Sequence, residues 1–236
     1  MSTLPAPPAG GFCAEAWERT ADLQQAIVDH PFNKALADGG LERDVFAFYI
    51  VQDARYLVGF AQALSAAATR ADDPADAAFL AGAAQGALVE ERRLHAGYVE
   101  EFGLTDEEID GVDTSPTCLG YTSYLRSCAL IESYPVLLAA ILPCFWVYQY
   151  VGSKILDATG DIEGHPYKAW ITTYADDEFA DAVLAARELT DKVAARSDAA
   201  TREQMFAAFS RATEYEWLFW NSAWVKETWP TAKFLA

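Results

Sequence analysis

The chain is poor in the residues that would place it in several large functional classes. Among 236 residues there are three histidines, His30, His95 and His165. A di-iron bundle needs two Glu-x-x-His pairs. In "EERRLH", Glu91 lies four residues and Glu90 five residues before His95, so even one such pair is missing there. The four cysteines, Cys13, Cys118, Cys128 and Cys144, are scattered without C-x-x-C spacing. With no secretory signal, this predicts free thiols in a reducing cytoplasm. There is no Gly-rich phosphate loop and no G-x-S-x-G elbow. Alternating apolar and polar runs bounded by turns, the mark of strands, are missing. Charged or polar residues interrupt every apolar run before it reaches bilayer length, so no membrane span is expected. The opening "MSTLPAPPAGGF" has neither a basic region nor a hydrophobic core and predicts a flexible leader over residues 1–12.

Positive charge is also scarce, with 17 basic residues against 35 acidic ones and a formal net charge of −18. Such a surface repels phosphate backbones and anionic lipid, which disfavours nucleic-acid and membrane partners. Sparse lysine with abundant Asp, Glu and Ala resembles the composition of proteins from salt-loving organisms. The expectation is a melting temperature that rises with salt beyond the physiological range.

Hydrophobic residues make up 52% of the chain, enough for one large folded domain over residues 13–236. The patterning predicts helices throughout. The first spans Cys13–His30, and the second runs from about Leu41 to Arg70. The third has Asp73 as cap and Pro74 at its first position and ends near "EFGL". "TDEEID" predicts a short helix with an acidic first turn. Ser115 caps another, continuing to about Ser133, and the next runs from Pro135 to about Thr159. "GDIEGHP" is a loop, "YKAWITTYA" a short helix, and two long helices close the chain. The fold class is all-α, an antiparallel bundle of about eight helices joined by mostly short loops.

On apolar helix faces the polar residues carry the information. Tyr49, Asp53, Tyr56, Phe60 and Leu64 share one face. Asp53 is a carboxylate among aromatics. Buried without a partner it would cost several kcal/mol, so it either pairs with Arg55 or a helix end, or meets a ligand. Cys118, Tyr121, Leu125 and Cys128 share a second face, and Tyr121 alone reads as ordinary core. Leu137, Ile141, Cys144, Tyr148, Val151 and Ile155 form a third. Buried cysteines are usually inert packing, but Pro143 lies next to Cys144, and an interior proline needs a reason. Phe206, Phe209, Thr213, Glu216, Trp220 and Trp224 form the fourth, flanked by Trp217 and Phe219. A glutamate there must be neutral, paired or engaged by a ligand. Glu214 lies off that stripe. Two inward carboxylates, one inward thiol and several tyrosines point to a pocket between helices, with aromatics to hold a flat ring and the thiol as nucleophile. His30 is a conceivable haem ligand; otherwise each histidine reads as a surface or helix-end residue.

The segments "FYIVQDARYL", "ALVEERRLHAGYVEEFGL", "GYTSYL", "LPCFWVYQYVG", "YKAWITTYA" and "EWLFWNSAW" together resemble the TenA/thiaminase II family. They occur in that family's order and reach from about residue 40 to 225. The resemblance implies a haem-oxygenase-like fold, usually a homotetramer, working without a metal or organic cofactor. It implies hydrolysis of 4-amino-5-aminomethyl-2-methylpyrimidine to the 5-hydroxymethyl compound and ammonia, in salvage of the pyrimidine half of thiamine, with cleavage of thiamine itself in many members. It also implies site residues: Cys144 in "LPCFW" as nucleophile, Glu216 as acid/base, and Asp53, Tyr56, Tyr121, Tyr148, Tyr174 and Phe219 around the substrate. In the implied reaction Glu216 protonates a ring nitrogen, the Cys144 thiolate adds to a ring carbon, the amine or thiazolium leaves, and water displaces the thiol. Asp53 would bind the amino group, and Tyr121 and Tyr148 would tune the thiol or guide the water. The group that takes the thiol's proton is not identified by the sequence. The competing expectations are a non-enzymatic bundle that binds a pyrimidine or tetrapyrrole, and a pure interaction scaffold.

Overall fold

A computed structural model describes residues 6–7, 9–102, 111–160 and 162–234. The described residues are helical and contain no strand. The helices are α1 (Phe12–Arg19), α2 (Ala21–Val28), α3 (Pro31–Ala37), α4 (Arg43–Ala68), α5 (Pro74–Phe102), α6 (Pro116–Ile131), α7 (Tyr134–Thr159), α8 (Lys168–Tyr174), α9 (Asp177–Ala194) and α10 (Ala199–Trp224). A short 3-10 turn, Ala232–Phe234, follows. The "TDEEID" segment lies outside the described residues.

Most helix starts follow from local chemistry. Ser115 Oγ accepts from Cys118 N at 3.1 Å, and Asp198 Oδ1 accepts from Thr201 N at 2.7 Å, each satisfying an amide that the helix leaves without a carbonyl. Asp73 accepts from Ala75 N at 2.9 Å, with Pro74 opening α5. The N-terminal region departs from the expected single helix over 13–30. Thr20 leaves helical geometry at φ −113°, ψ 11°, and its hydroxyl donates back to Ala16 O at 2.9 Å. That back-bonding competes with the helix ladder. A further helix, α3, was not expected. His30 caps it, accepting from Phe32 N at 3.2 Å, and Pro31 holds its first position.

Four long helices, α4, α6, α7 and α10, all contact one another. α5 leans on α4, while α8 and α9 lean on α7. At the centre is α7, which runs unbroken through Pro143 and is buried on every side from Val136 to Gln149. This helix corrects the expectation that no apolar run is long enough for a membrane: it meets that length and composition, but most of the stretch is buried inside the protein. A helix apolar all round belongs either in lipid or in the middle of a bundle, and here the other three long helices and their neighbours enclose it.

Two glycines allow close helix approach. A Cβ on Gly59 of α4 would lie 2.8 Å from Thr122 Cγ2 of α6. One on Gly152 of α7 would lie 2.8 Å from Tyr174 Cβ and 2.9 Å from Tyr174 C. The second contact seats the end of α8, and with it the Tyr174 ring, directly on α7.

Candidate active site

A cavity of about 1460 Å³ opens between α4, α5, α7, α8 and the start of α9. One end is buried and carries reactive groups: Asp53 and Tyr56 from α4, Cys144 and Tyr148 from α7, and Tyr174 from α8. The other end is wide and exposed, between the small residues Ala78, Gly82 and Ala83 of α5 and the Lys168, Thr172 and Glu178 side. Phe79, Phe145 and Phe179 wall the passage between the ends.

Tyr148 and Tyr174 lie 5.0 Å apart between centroids, tilted by 47°. Tyr56 lies 4.7 Å from Tyr121 and 5.5 Å from Phe219. These rings are buried and packed in tilted contacts, an arrangement that suits a flat heterocycle. Burial is also the largest influence on the phenols of Tyr56, Tyr121 and Tyr148, raising each well above the ordinary tyrosine value.

Glu216, Tyr121 and Phe219 do not line the cavity; they stand one layer behind it. Glu216 is 1% exposed, and its Oε1 accepts from the Tyr121 hydroxyl at 2.6 Å. Burial raises its pKa to about 8, the Tyr121 hydrogen bond lowers it, and the nearby charge of Asp53 raises it. Stripping water from a carboxylate disfavours the ionised form, and one phenol donor only partly compensates. The result is an acid poised close to neutral pH. Glu216 therefore meets the cavity only through other side chains, beginning with the Tyr121 hydroxyl that donates to it. Tyr56 and Tyr121 each sense both Cys144 and Glu216, so the thiol and the carboxyl belong to one buried cluster.

The other residues of interest have structural places. Glu214 is exposed and pairs with Arg211. Trp224, expected on the inward stripe, is 39% exposed at the helix end. Trp217 is half-buried and sets its ring edge-on to His30. His30 is buried, its basicity lowered by desolvation, and its Nδ1 is used as the α3 cap. The Tyr167 hydroxyl donates to Leu41 O at 2.6 Å, tying the loop before α8 to the start of α4. Cys13 and Cys118 donate to the carbonyls of Arg187 and Gln52, and burial pushes the Cys118 thiol up to about 12. They behave as packing, whereas Cys144 faces the cavity. His165 lines the outer part with Nδ1 accepting from Tyr167 N at 3.1 Å. The side chains of Glu90, Glu91 and His95 lie outside the described residues. Among the described residues no cluster of His, Cys, Asp and Glu has the arrangement of a metal site.

A family model described as TENA/THI-4/PQQC matches residues 17–226. The chain belongs to that family. An aminopyrimidine aminohydrolase from Bacillus subtilis (strain 168) is 35% identical over 219 residues, 92% of this chain and 92% of its own length. A Helicobacter pylori protein of the same name is 30% identical, over 84% of this chain and 91% of its own. Among solved structures, a TenA homologue from P. horikoshii OT3 superposes with a TM-score of 0.80 at 25% identity, covering 91% of this chain and 99% of that one. A domain with a heme oxygenase-like fold from Shewanella denitrificans, 14% identical, gives a TM-score of 0.73 over 91% of this chain and 92% of that one. At that identity the likeness shows the fold, which is all-α and haem-oxygenase-like.

For this TENA/THI-4/PQQC chain, Asp53 and Tyr56 stand out on one face of α4, Cys144 and Tyr148 share a stripe of a helix buried all round, Tyr174 is placed by the family resemblance, and the opposite wall of the cavity leaves no distinct signal in the sequence. The wall from α5 consists of Ala78, Phe79, Gly82, Ala83, Gly86 and Ala87. Their one sequence signal is a run of small residues at helical spacing, which reads equally well as close packing. Tyr49 was seen only as part of a stripe. In the structure its oxygen lies 3.5 Å from that of Tyr148 and accepts from Trp170 Nε1 at 3.3 Å, so it supports Tyr148 from behind.

Proposed function

We infer that this protein hydrolyses an aminopyrimidine, 4-amino-5-aminomethyl-2-methylpyrimidine, to the 5-hydroxymethyl compound and ammonia, with thiamine as a second substrate. The observation that carries the reading is the grouping of one cavity-facing thiol with a set of aromatic rings at a single cavity end, and one buried neutral-range acid a layer behind them. The names of the Bacillus subtilis and Helicobacter pylori relatives support the same substrate class.

In the proposed reaction the pyrimidine lies between Tyr56, Tyr148 and Tyr174, with Phe219 backing Tyr56. Asp53 accepts from its amino group. A proton from Glu216, passed by the Tyr121 or Tyr56 hydroxyl, makes the ring electron-poor. The Cys144 thiolate then adds to a ring carbon conjugated to the exocyclic methylene, and the amine of the aminomethyl group, carried in its ammonium form, departs as ammonia with the electron pair of its C–N bond. Water adds to the methylene and the thiol is released. General acid help of this kind is worth about 10²–10⁴-fold. We also propose a homotetramer in the cytoplasm as the working form. A purely binding role makes no demand on Cys144 or on an acid with a pKa of about 8.

The test is to incubate the purified protein with the aminomethylpyrimidine and follow ammonia and the hydroxymethyl product. Stoichiometric formation of both, with many turnovers per chain, is expected. Binding of the pyrimidine without product would replace hydrolysis by the binding role.

A further inference from the structure

Three of the candidate site residues have a buried aromatic about one turn away on the same helix: Tyr49 before Asp53 on α4, Trp170 before Tyr174 on α8, and Trp220 after Glu216 on α10. Tyr49, Trp170 and Trp220 do not line the cavity; they meet behind it. The Tyr49 and Trp220 rings stack at 5.2 Å and 11°, and Trp170 stands edge-on to Trp220 at 5.8 Å and 75°. Tyr148, which does line the cavity, packs on Trp220 at 5.1 Å. All three rear residues are fully buried, so close packing holds each ring in one orientation.

Their polar atoms form a chain with a direction. An indole nitrogen can donate but not accept. Trp170 Nε1 donates to the Tyr49 oxygen at 3.3 Å, and the Tyr49 hydroxyl donates to the Tyr148 oxygen, 3.5 Å away. The indole proton occupies the Tyr49 oxygen, so Tyr49 meets Tyr148 with its own proton and Tyr148 accepts on that side. A phenol has one proton. That of Tyr148 is therefore turned away from Tyr49, toward the cavity. Burial is the largest influence on this phenol and holds it well above the ordinary tyrosine value, so the proton stays on the oxygen.

We propose that Trp170 and Tyr49 are positioning residues that fix the direction of the Tyr148 hydroxyl, so that Tyr148 meets a ligand as a hydrogen-bond donor. The purpose of this device rests on the proposed hydrolysis, in which the pyrimidine lies against Tyr148 and Asp53 takes its amino N–H. The buried end then offers a ligand one acceptor and one donor of fixed direction. The group placed against Tyr148 must be an acceptor, such as a ring nitrogen or the oxygen of a hydroxymethyl group. A ring that presents an N–H there leaves two donors facing each other and is rejected. The 3.5 Å separation is longer than that of an ordinary hydroxyl pair, so the effect of removing the Tyr49 oxygen is modest.

The experiment is a cycle of Tyr49→Phe, Tyr148→Phe and the double variant, each keeping its ring and losing one oxygen. Steady-state kcat/KM on the aminomethylpyrimidine is expected to fall about three- to tenfold in Tyr49→Phe. In the Tyr148→Phe background the same change is expected to cost nothing further, because Tyr49 acts through Tyr148. A merely structural role would cost the same factor in both backgrounds, and that result would overturn the proposal. A second measurement needs no ligand. The infrared C–O stretch of a phenol depends on whether its oxygen accepts. The difference between wild type and Tyr148→Phe isolates Tyr148 beside Tyr49, and the difference between Tyr49→Phe and the double variant isolates it without that partner. The two Tyr148 bands are expected to differ; identical bands would overturn the proposal. Bands that differ without wild-type turnover remove the proposed hydrolysis and leave the positioning standing. Turnover with identical bands removes the positioning alone.

Discussion

The two ends of the cavity are built from different chemistry. The buried end draws its side chains from three helices, and each of them is at most 9% exposed. The outer end is formed by small residues of α5 on one side and by exposed Lys168, Thr172 and Glu178 on the other. Low water content makes charge and proton position matter at the buried end, because an uncompensated charge there is expensive. At the outer end water screens the charges and the small residues leave room. The proposed chemistry therefore falls at the buried end, and the outer end is the side with room for access and substrate bulk.

Substitutions sharpen this contrast in order of expected effect. Cys144→Ser should reduce turnover by about 10³-fold or more while the circular dichroism spectrum is retained; near wild-type kcat would detach the chemistry from the thiol. Glu216→Gln should lower kcat about 10²–10⁴-fold and keep the fold, whereas loss of the folded state would make Glu216 a structural residue. The same variant has a pH signature. Native Glu216 keeps its proton up to about pH 8, while an unfolded glutamate releases it near 4.5. Between these values the native state holds the extra proton, so this contribution to stability is full below 4.5 and is lost as pH rises through 8. Thermal melts from pH 5 to 8 should therefore decline less steeply for Glu216→Gln than for the wild type, and parallel declines would contradict the raised pKa.

Gly152→Ala is expected to act through Tyr174, since the new methyl would meet that residue's Cβ and carbonyl carbon. A destabilisation of about 1–3 kcal/mol and a rise in KM larger than the fall in kcat are expected from thermal melts and steady-state kinetics. An unchanged KM would show that Tyr174 does not contact substrate. The smallest effect is expected at the outer end. Gly82→Ala lies where a Cβ meets nothing within 4 Å, and should change aminopyrimidine turnover less than about twofold. A larger loss would erase the distinction between the two ends.

The sequence made α4 and α10 legible for a physical reason. Each is apolar on one face, so Asp53 and Glu216 stood out against that face. On α7 the argument had less force: with every side buried from Val136 to Gln149, a helical stripe could not select one face, and the structure was needed to show that Cys144 faces the cavity. The depth of Glu216 was not legible either. Spacing shows that a residue points inward but not whether it reaches a surface or stops behind Tyr121 and Tyr56. The break at Thr20 left little trace, because a single threonine carries a weak signal compared with Gly or Pro. The start of α3 did leave one in Pro31, whose position after His30 is that of a first helical residue.

The most direct measurement of the central claim, that the buried end is where the pyrimidine meets the thiol, is product protection. Cys144 alkylation is followed with and without the hydroxymethylpyrimidine, at a concentration shown by thermal shift to saturate the protein. Strong protection of Cys144, lost in Asp53→Ala at the same concentration, is the predicted result. Alkylation of Cys144 at the same rate in the saturated protein would place the pyrimidine elsewhere and contradict the account.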